Sequence, residues 1–94
     1  MNVSASSLFN KEISALLPAD KAFEFIHAAK DFFAANPKAG HLLQDNTRVR
    51  QVPDPPNQRV FLIYYRVEGE SLTLESVQTM GMTIPTEVGE DDTQ

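Results

Sequence analysis

Four arginines in the second half of the chain are the residues whose type and spacing best suit a binding role. Arg48 and Arg50 lie two positions apart, and Arg59 and Arg66 stand near the two ends of the longest apolar run. Spaced arginines on a strand can contact a phosphate group, although exposed ones more often contact a partner protein or solvent. We therefore predict partner-binding residues at these four positions, with Arg66 the most structural because it lies inside the central run.

The other ionisable side chains show no pattern typical of catalysis. His27 and His41 match no metal-ligand spacing, and the chain has no cysteine. Glu68, Glu70 and Glu75 lie in a predicted turn and strand, where exposure to solvent explains them. The spacing of the serine, histidine and acidic residues does not suggest a nucleophilic triad. The glycines are isolated, so the sequence contains no phosphate-binding loop. The sequence therefore predicts no catalytic residue, no metal site and no cofactor.

The negative charge of the chain is concentrated in one short segment. The net charge is −5, and Glu87, Glu90, Asp91 and Asp92 are four of the 13 acidic residues, whereas all 8 basic residues lie earlier. The nearly neutral remainder lacks the positive field that binds nucleic acid through its phosphates. We predict one domain over residues 1–86 and an acidic, disordered tail over residues 87–94, with no direct sequence-specific binding to nucleic acid.

The composition is typical of a globular protein, since 41% of the 94 residues are hydrophobic and 22% are charged. No apolar run approaches the roughly 20 residues that cross a bilayer. The first residues also lack the basic start and apolar stretch of a secretory signal. We therefore expect no membrane segment and a cytoplasmic location.

Two helices are predicted in the first part of the chain, over residues 7–17 and 18–35. Ser6 or Ser7 can cap the first helix, and Pro18 ends it and begins the second. The second helix carries one apolar stripe at helical spacing, which should pack on a sheet. The stripe consists of Ala22, Phe25, Ile26, Ala29, Phe32 and Phe33.

The strands are predicted to follow the helices. Residues 59–67 form the central strand, and because residues 61–65 do not alternate with polar side chains, we expect both faces of this strand to be covered. Gly69 allows a tight turn into a returning strand over residues 72–77. Residues 47–52 alternate in polarity, which predicts an edge strand whose exposed face carries Arg48 and Arg50.

The remaining segments are short. Residues 2–5 form either an edge strand or a frayed end, residues 42–43 are expected to pack against the helices, and the prolines of residues 53–57 disfavour regular structure. The predicted fold class is therefore α+β, with an N-terminal helical hairpin packed on a small antiparallel sheet of three to four strands.

The order of these elements resembles the RelE/ParE superfamily of toxins from bacterial type II toxin–antitoxin modules, over residues 8–80. The likeness lies in the Leu17-Pro18 break between the helices, the Asn36-Pro37-x-x-Gly40 turn and the spaced bases Arg48 and Arg50. It also lies in the central strand, where the family often has an aromatic residue, a variable one and two apolar ones before Tyr-Arg-Val. Residues 61–67 fit that pattern.

Two departures from the family pattern separate its branches. Toxins resembling RelE cut messenger RNA on the ribosome, which requires basic groups at the phosphate and groups that transfer protons. In them an arginine commonly stands at the position of Leu62, and a basic segment with Tyr or His follows the last strand. Here residues 78–85 fill that segment and contain no charged or titratable side chain.

The resemblance therefore implies the ParE branch, whose members are thought to inhibit DNA gyrase by binding and have no catalytic centre. It also implies a cognate antitoxin protein as partner. Two alternatives remain: a RelE-like ribosome-dependent endoribonuclease, and a degenerate homologue that binds an antitoxin without being toxic. The sequence favours a protein that is not an enzyme.

Overall fold

The computed structural model describes residues 1–81, which form two helices and five strands. The tail expected at residues 87–94 lies outside the described residues. In chain order the elements are β1 (Asn2–Ala5), α1 (Ser7–Leu16), α2 (Ala19–Ala35), β2 (His41–Gln44), β3 (Thr47–Asp54), a 3-10 turn (Pro55–Asn57), β4 (Arg59–Glu68) and β5 (Ser71–Gly81).

Both predicted helices are present, with boundaries within one residue of the expected ones. The Ser6 hydroxyl caps α1 by accepting a hydrogen bond from the Phe9 N–H at 3.0 Å, and it donates one to the Glu75 carbonyl at 2.9 Å. Pro18 occupies the N-cap position of α2 without a side-chain cap hydrogen bond, and its carbonyl accepts the first helical hydrogen bond, from the Ala22 N–H at 2.8 Å. Asp20 lies in the first turn, where a carboxylate favours the positive end of the helix dipole. Serine and proline thus set the two helix starts that the sequence predicts.

The sheet is larger than predicted, and it is mixed. Its strand order is β1-β5-β4-β3-β2, with β1 parallel to β5 and every other pair antiparallel. The α+β class is confirmed, but the expectation of an antiparallel sheet of three to four strands is wrong. β1 is the edge strand that was one of the two alternatives for residues 2–5, whereas β2 was not expected, and each has four residues. Such short segments contain too little alternation to predict pairing, which their neighbours in the sheet determine.

The helices cover one face of the sheet, so the expectation that both faces of the central strand are covered is wrong. Phe61, Ile63 and Tyr65 are buried beneath the helices, whereas Leu62 and Tyr64 are only partly buried on the other face. Leu62 lies between Gln51 of β3 and Gln78 of β5. An apolar run can therefore form a strand with one open face when the side chains of the two flanking strands partly shield that face.

The strand with the two spaced arginines also differs from the prediction. β3 pairs with both β2 and β4, so it is not an edge strand. Arg48 and Arg50 lie opposite Tyr65 and Ile63, which places them on the helix side of the sheet rather than on the open face. Alternation identifies two faces, but it does not tell which of them the helices cover.

Two loop predictions are corrected as well. Leu42 and Leu43 do not pack against the helices, because they belong to edge strand β2 and are 49% and 50% exposed. Residues 53–57 do contain regular structure, since Pro53 and Asp54 continue β3 and the next three residues form the 3-10 turn. Proline is compatible with the first positions of such a turn because its fixed φ suits them.

The core lies between the two helices and the sheet. α1 packs on β5, while α2 contacts β1 and reaches β4 through the ring pairs Phe25–Phe61 and Phe33–Tyr65, with centroids 5.0 and 4.4 Å apart. Of the predicted stripe on α2, three residues are buried and the other three are partly buried against the core. The buried residues are Phe9, Ile13, Ala22, Ala29, Phe33, Phe61, Ile63, Tyr65, Leu72, Leu74 and Val77.

α1 is tied to the last strand by a carboxylate. β1 pairs with β5 only as far as Leu74, and a bulge follows in β5. Beyond the bulge, Glu12 accepts hydrogen bonds from the Val77 N–H at 2.9 Å and the Ser76 hydroxyl at 2.7 Å. Glu12 therefore satisfies an edge amide that β1 does not reach.

Gly40, between α2 and β2, packs directly against the core. Its N–H donates a buried hydrogen bond of 2.7 Å to the Tyr65 hydroxyl. A Cβ atom at this position would lie 2.7 Å from that oxygen and 2.8 Å from the Val49 carbonyl oxygen. Only glycine fits here without movement of the backbone.

The two faces of β4 can be distinguished by truncation. We expect Ile63→Ala to lower the free energy of unfolding by about 2–5 kcal/mol, because it leaves a cavity beneath the helices. Leu62→Ala, the matched control on the open face, should cost only about 1–2 kcal/mol because it loses burial without forming an enclosed cavity. Urea denaturation measures both. Equal losses would contradict the assignment of faces.

The close approach at Gly40 predicts a second effect on stability. Gly40→Ala should cost about 1–3 kcal/mol, since the added methyl group meets both a side chain and a backbone carbonyl. Gly81→Ala is the control, because within residues 1–81 no atom beyond its neighbours in the chain lies within 4 Å of a Cβ there. Thermal denaturation of the two variants compares them, and a Gly40→Ala protein as stable as the control would refute the contact.

Candidate functional site

The concave surface on the helix side of the sheet is a groove between α2 and β3, which we call the α2–β3 groove. It exists because the helices lie over β1, β5 and β4 and leave β3 partly uncovered. The narrow end has a volume of about 250 Å³. It is lined by Phe25, Ala28, Ala29, Phe32, Phe33, Arg50, Val52 and Ile63.

The groove continues to a wider end of about 880 Å³, which shares Phe25, Ala28 and Val52 with the narrow end. This wide end lies between the start of α2 and the 3-10 turn. Its other lining residues are Leu16, Leu17, Pro18, Lys21, Glu24, Pro53, Asp54, Asn57, Arg59 and Phe61. The groove therefore runs beside α2 from a mixed polar end to an apolar end.

Arg50 provides the positive charge at the narrow end. Its guanidinium carbon lies 4.3 Å from the centroid of the Phe32 ring, a cation–π contact. Phe32 in turn packs edge-on against buried Phe33, with centroids 5.3 Å apart. Arg50 forms no ion pair with any acid among residues 1–81. A cation beside apolar walls is suited to bind an acidic side chain of a peptide whose other side chains are apolar.

Arg48 holds the backbone at the end of α2. Its Nη1 donates to the Gly40 carbonyl at 2.8 Å and to the Lys38 carbonyl at 3.5 Å. It also has no acidic partner within residues 1–81. The two contacts use only Nη1, so Nε and Nη2 of the guanidinium can still donate hydrogen bonds to a ligand.

Arg59 and Arg66 are paired with carboxylates. Arg59 Nε lies 2.8 Å from Asp54 Oδ2 in the wide end of the groove, and its guanidinium lies 4.7 Å from the Phe61 centroid. The hydrogen bonds from Arg59 and Asn57 hold the pKa of Asp54 below its usual value. Arg59 therefore shapes the groove while its charge is already balanced.

Arg66 lies on the other side of the sheet. Its Nε is 3.1 Å from Glu75 Oε2 and its Nη1 is 4.0 Å from Glu68 Oε2. The hydrogen bond to Glu75 raises the pKa of the arginine further above its usual value. The four predicted arginines thus do not form one site: Arg48, Arg50 and Arg59 share the helix side, and Arg66 is separated from them by the sheet.

The groove itself was not predicted from the sequence. The sequence predicts Phe25 and Phe32 as part of the core stripe. Both are partly buried against the core, and they also form the groove wall. Exposed Ala28 leaves space between these two rings. The small side chain of Ala28, beside the apolar stripe, is the only indication of the groove in the sequence.

The two histidines lie away from the groove lining. The His27 ring packs 4.4 Å from the ring of Phe23, which is 64% exposed. His41 begins edge strand β2 opposite Val49. Within residues 1–81 no group of three or more His, Cys, Asp or Glu side chains is arranged to hold a metal ion.

The open face contains the positions that separate the two toxin branches in the resemblance. Leu62 and Gln78 are paired across β4 and β5, and Gln51 flanks Leu62 from β3. None of these three side chains ionises at neutral pH. Gln78 belongs to β5 and lies directly beside Leu62 in the sheet.

Comparison with known proteins adds no relative: no protein-family model matches the chain, and no curated protein does. No helix within residues 1–81 is long and apolar enough to cross a membrane.

Proposed function

We propose that the chain is a ParE-like toxin of a bacterial type II toxin–antitoxin module. It inhibits DNA gyrase by binding and is neutralised by a cognate antitoxin that occupies the α2–β3 groove. The observation that carries the proposal is this groove, which is apolar along α2 and has a positive charge at Arg50 without an acidic partner in residues 1–81. The family itself is inferred from the sequence motifs.

The groove suits a peptide that orders on binding. Its walls are the rings of Phe25 and Phe32 with Ala28 between them, which can receive apolar side chains at regular spacing along a helix or a strand. A segment that is disordered when free can follow such a long surface, as expected of an antitoxin. An acidic residue in that segment would pair with Arg50.

A binding mode of inhibition is supported by the chemistry of the open face. Cleavage of a ribose–phosphate backbone needs a proton acceptor, a proton donor and positive charge near the developing oxyanion. Around Leu62, where RelE-like toxins commonly have an arginine, Gln51, Leu62 and Gln78 supply none of these. Arg66 and Glu75 on the same face are already paired with each other. We therefore favour a protein target over messenger RNA.

The antitoxin proposal can be tested by blocking the groove. Co-expression with the short reading frame beside this gene should give a complex that co-purifies, and Ala28→Trp should abolish it because the indole fills the space between Phe25 and Phe32. Ala34→Trp is the matched control, since Ala34 is also exposed on α2 but does not line the groove. A complex unaffected by Ala28→Trp, or no complex with any neighbouring frame, would contradict the proposal.

The target can be tested by two assays on the purified protein. We expect inhibition of gyrase supercoiling and no cleavage of messenger RNA in a translating extract, and in cells we expect filamentation with the DNA-damage response. Arg50→Ala, which leaves the contacts of Arg48 with the backbone intact, is measured beside the wild type. Codon-linked cleavage that is lost in Arg50→Ala, with gyrase unaffected, would instead support the RelE-like ribonuclease.

A further inference from the structure

Apolar side chains meet on the open face of the sheet, across its three middle strands. The side chains of residues paired between neighbouring strands point to the same face. Alternation along β4 therefore places its even-numbered residues, and their partners on β3 and β5, on the face away from the helices. The set, which we call the open-face patch, consists of Val49, Pro53, Val60, Leu62, Tyr64 and Met80.

The open-face patch is accessible and uncharged. Met80 is 50% exposed, and Leu62 and Tyr64 are only partly buried although they belong to the central strand. The polar side chains on either side of Leu62 are those of Gln51 and Gln78, both neutral and exposed. A continuous apolar patch of this kind marks an interaction surface, and its lack of charge favours an apolar partner.

The charges nearest to the patch on this face are paired with each other. Arg66 Nε lies 3.1 Å from Glu75 Oε2, and Arg66 Nη1 lies 4.0 Å from Glu68 Oε2. Arg66 is also four residues beyond Leu62 on β4, a distance of about 13 Å at roughly 3.3 Å per residue. A partner that covers the patch therefore does not have to neutralise this guanidinium.

The strand order makes the patch complementary to itself. β4 is the middle strand of the five, with β5 on one side and β3 on the other. A twofold axis that runs parallel to β4 above Leu62 therefore places β5 of one copy opposite β3 of a second copy. Leu62 then meets Leu62, and Gln51 of each copy meets Gln78 of the other. A glutamine amide both donates and accepts hydrogen bonds, so these two pairs satisfy each other.

We propose that the open-face patch is a dimer interface, through which two copies of this chain pack their sheets face to face as a β-sandwich. Sheets in aligned sandwiches lie about 10 Å apart, with their strands within about 30° of each other. The helices remain on the outside of such a dimer. Each copy therefore keeps its α2–β3 groove accessible, and the dimer does not depend on the proposed function.

The size of the open face suits a reversible dimer. Four strand spacings of about 4.8 Å, and the six-residue step from Val60 to Arg66 at roughly 3.3 Å per residue, give a face of about 19 by 20 Å. Two such faces bury on the order of 1,000 Å² of accessible surface, near the lower limit for a specific interface. We therefore expect a dissociation constant on the order of micromolar.

Sedimentation equilibrium on the full chain measures this dimer. The average mass should rise from one chain to two as the concentration passes the dissociation constant. Gln51→Lys/Gln78→Lys should weaken the dimer by at least about tenfold, because ammonium groups then face each other across the axis. The matched control is Asn10→Lys/Ser14→Lys, which adds the same charge at exposed positions on α1. It should dimerise like the parent protein.

A mixing experiment tests the twofold arrangement. Gln51→Glu/Gln78→Glu should also be monomeric alone, but mixing it with the lysine variant should restore a dimer, because each glutamate then faces a lysine of the other copy. Thermal denaturation of each variant should show an intact fold, since both glutamines are exposed. Met80→Lys, at the edge of the patch, should weaken the dimer independently of the glutamines.

Three results would overturn the proposal. The first is a parent protein that stays monomeric at every concentration, which would mean that a second copy does not cover the patch. The second is a dimer that neither the lysine variant nor Met80→Lys weakens, since its interface would lie elsewhere. The third is a mixture of the lysine and glutamate variants that forms no dimer. Each result holds whether or not the α2–β3 groove binds an antitoxin.

Discussion

The buried hydroxyl of Tyr65 is the constraint on which the arrangement of α2 and the sheet depends. Tyr65 is fully buried on the central strand, and its hydroxyl needs a hydrogen-bonding partner there. The N–H of Gly40 supplies it, and the guanidinium of Arg48 binds the carbonyl of the same residue. The turn after α2 is therefore fixed to both β4 and β3, and this fixes where α2 ends over the sheet.

The position of α2 in turn determines the groove. The Phe33 ring packs on Tyr65 and the Phe32 ring packs on Phe33, so the polar contact at Gly40 continues into a chain of aromatic rings. Arg50 rests on the outer ring of this chain. The positive charge at the narrow end is thus held by packing rather than by an acidic neighbour, which leaves it available to a ligand.

The sequence predicted the parts of the fold in which a long pattern repeats. Both helices and the central hairpin follow from periodicity and from Ser6, Pro18 and Gly69. The short strands β1 and β2 do not, since four residues carry little pattern. The faces of β3 were also assigned incorrectly, because Arg48 and Arg50 bind a backbone turn and an aromatic ring on the helix side. The groove could not be predicted, since it arises where α2 leaves β3 uncovered, and that geometry is not local in the sequence.

The link between α1 and β5 has a consequence for folding. β1 pairs only with β5, and α1 packs on β5 and binds its edge through Glu12. Within residues 1–81, β1 therefore has no neighbour in the sheet until β5 is in place. Contacts between such distant parts of a chain form slowly because a long loop must close first. The pairing of β1 with β5 and the docking of α1 on that strand are therefore expected to be late steps, whereas the β4–β5 hairpin involves only local contacts.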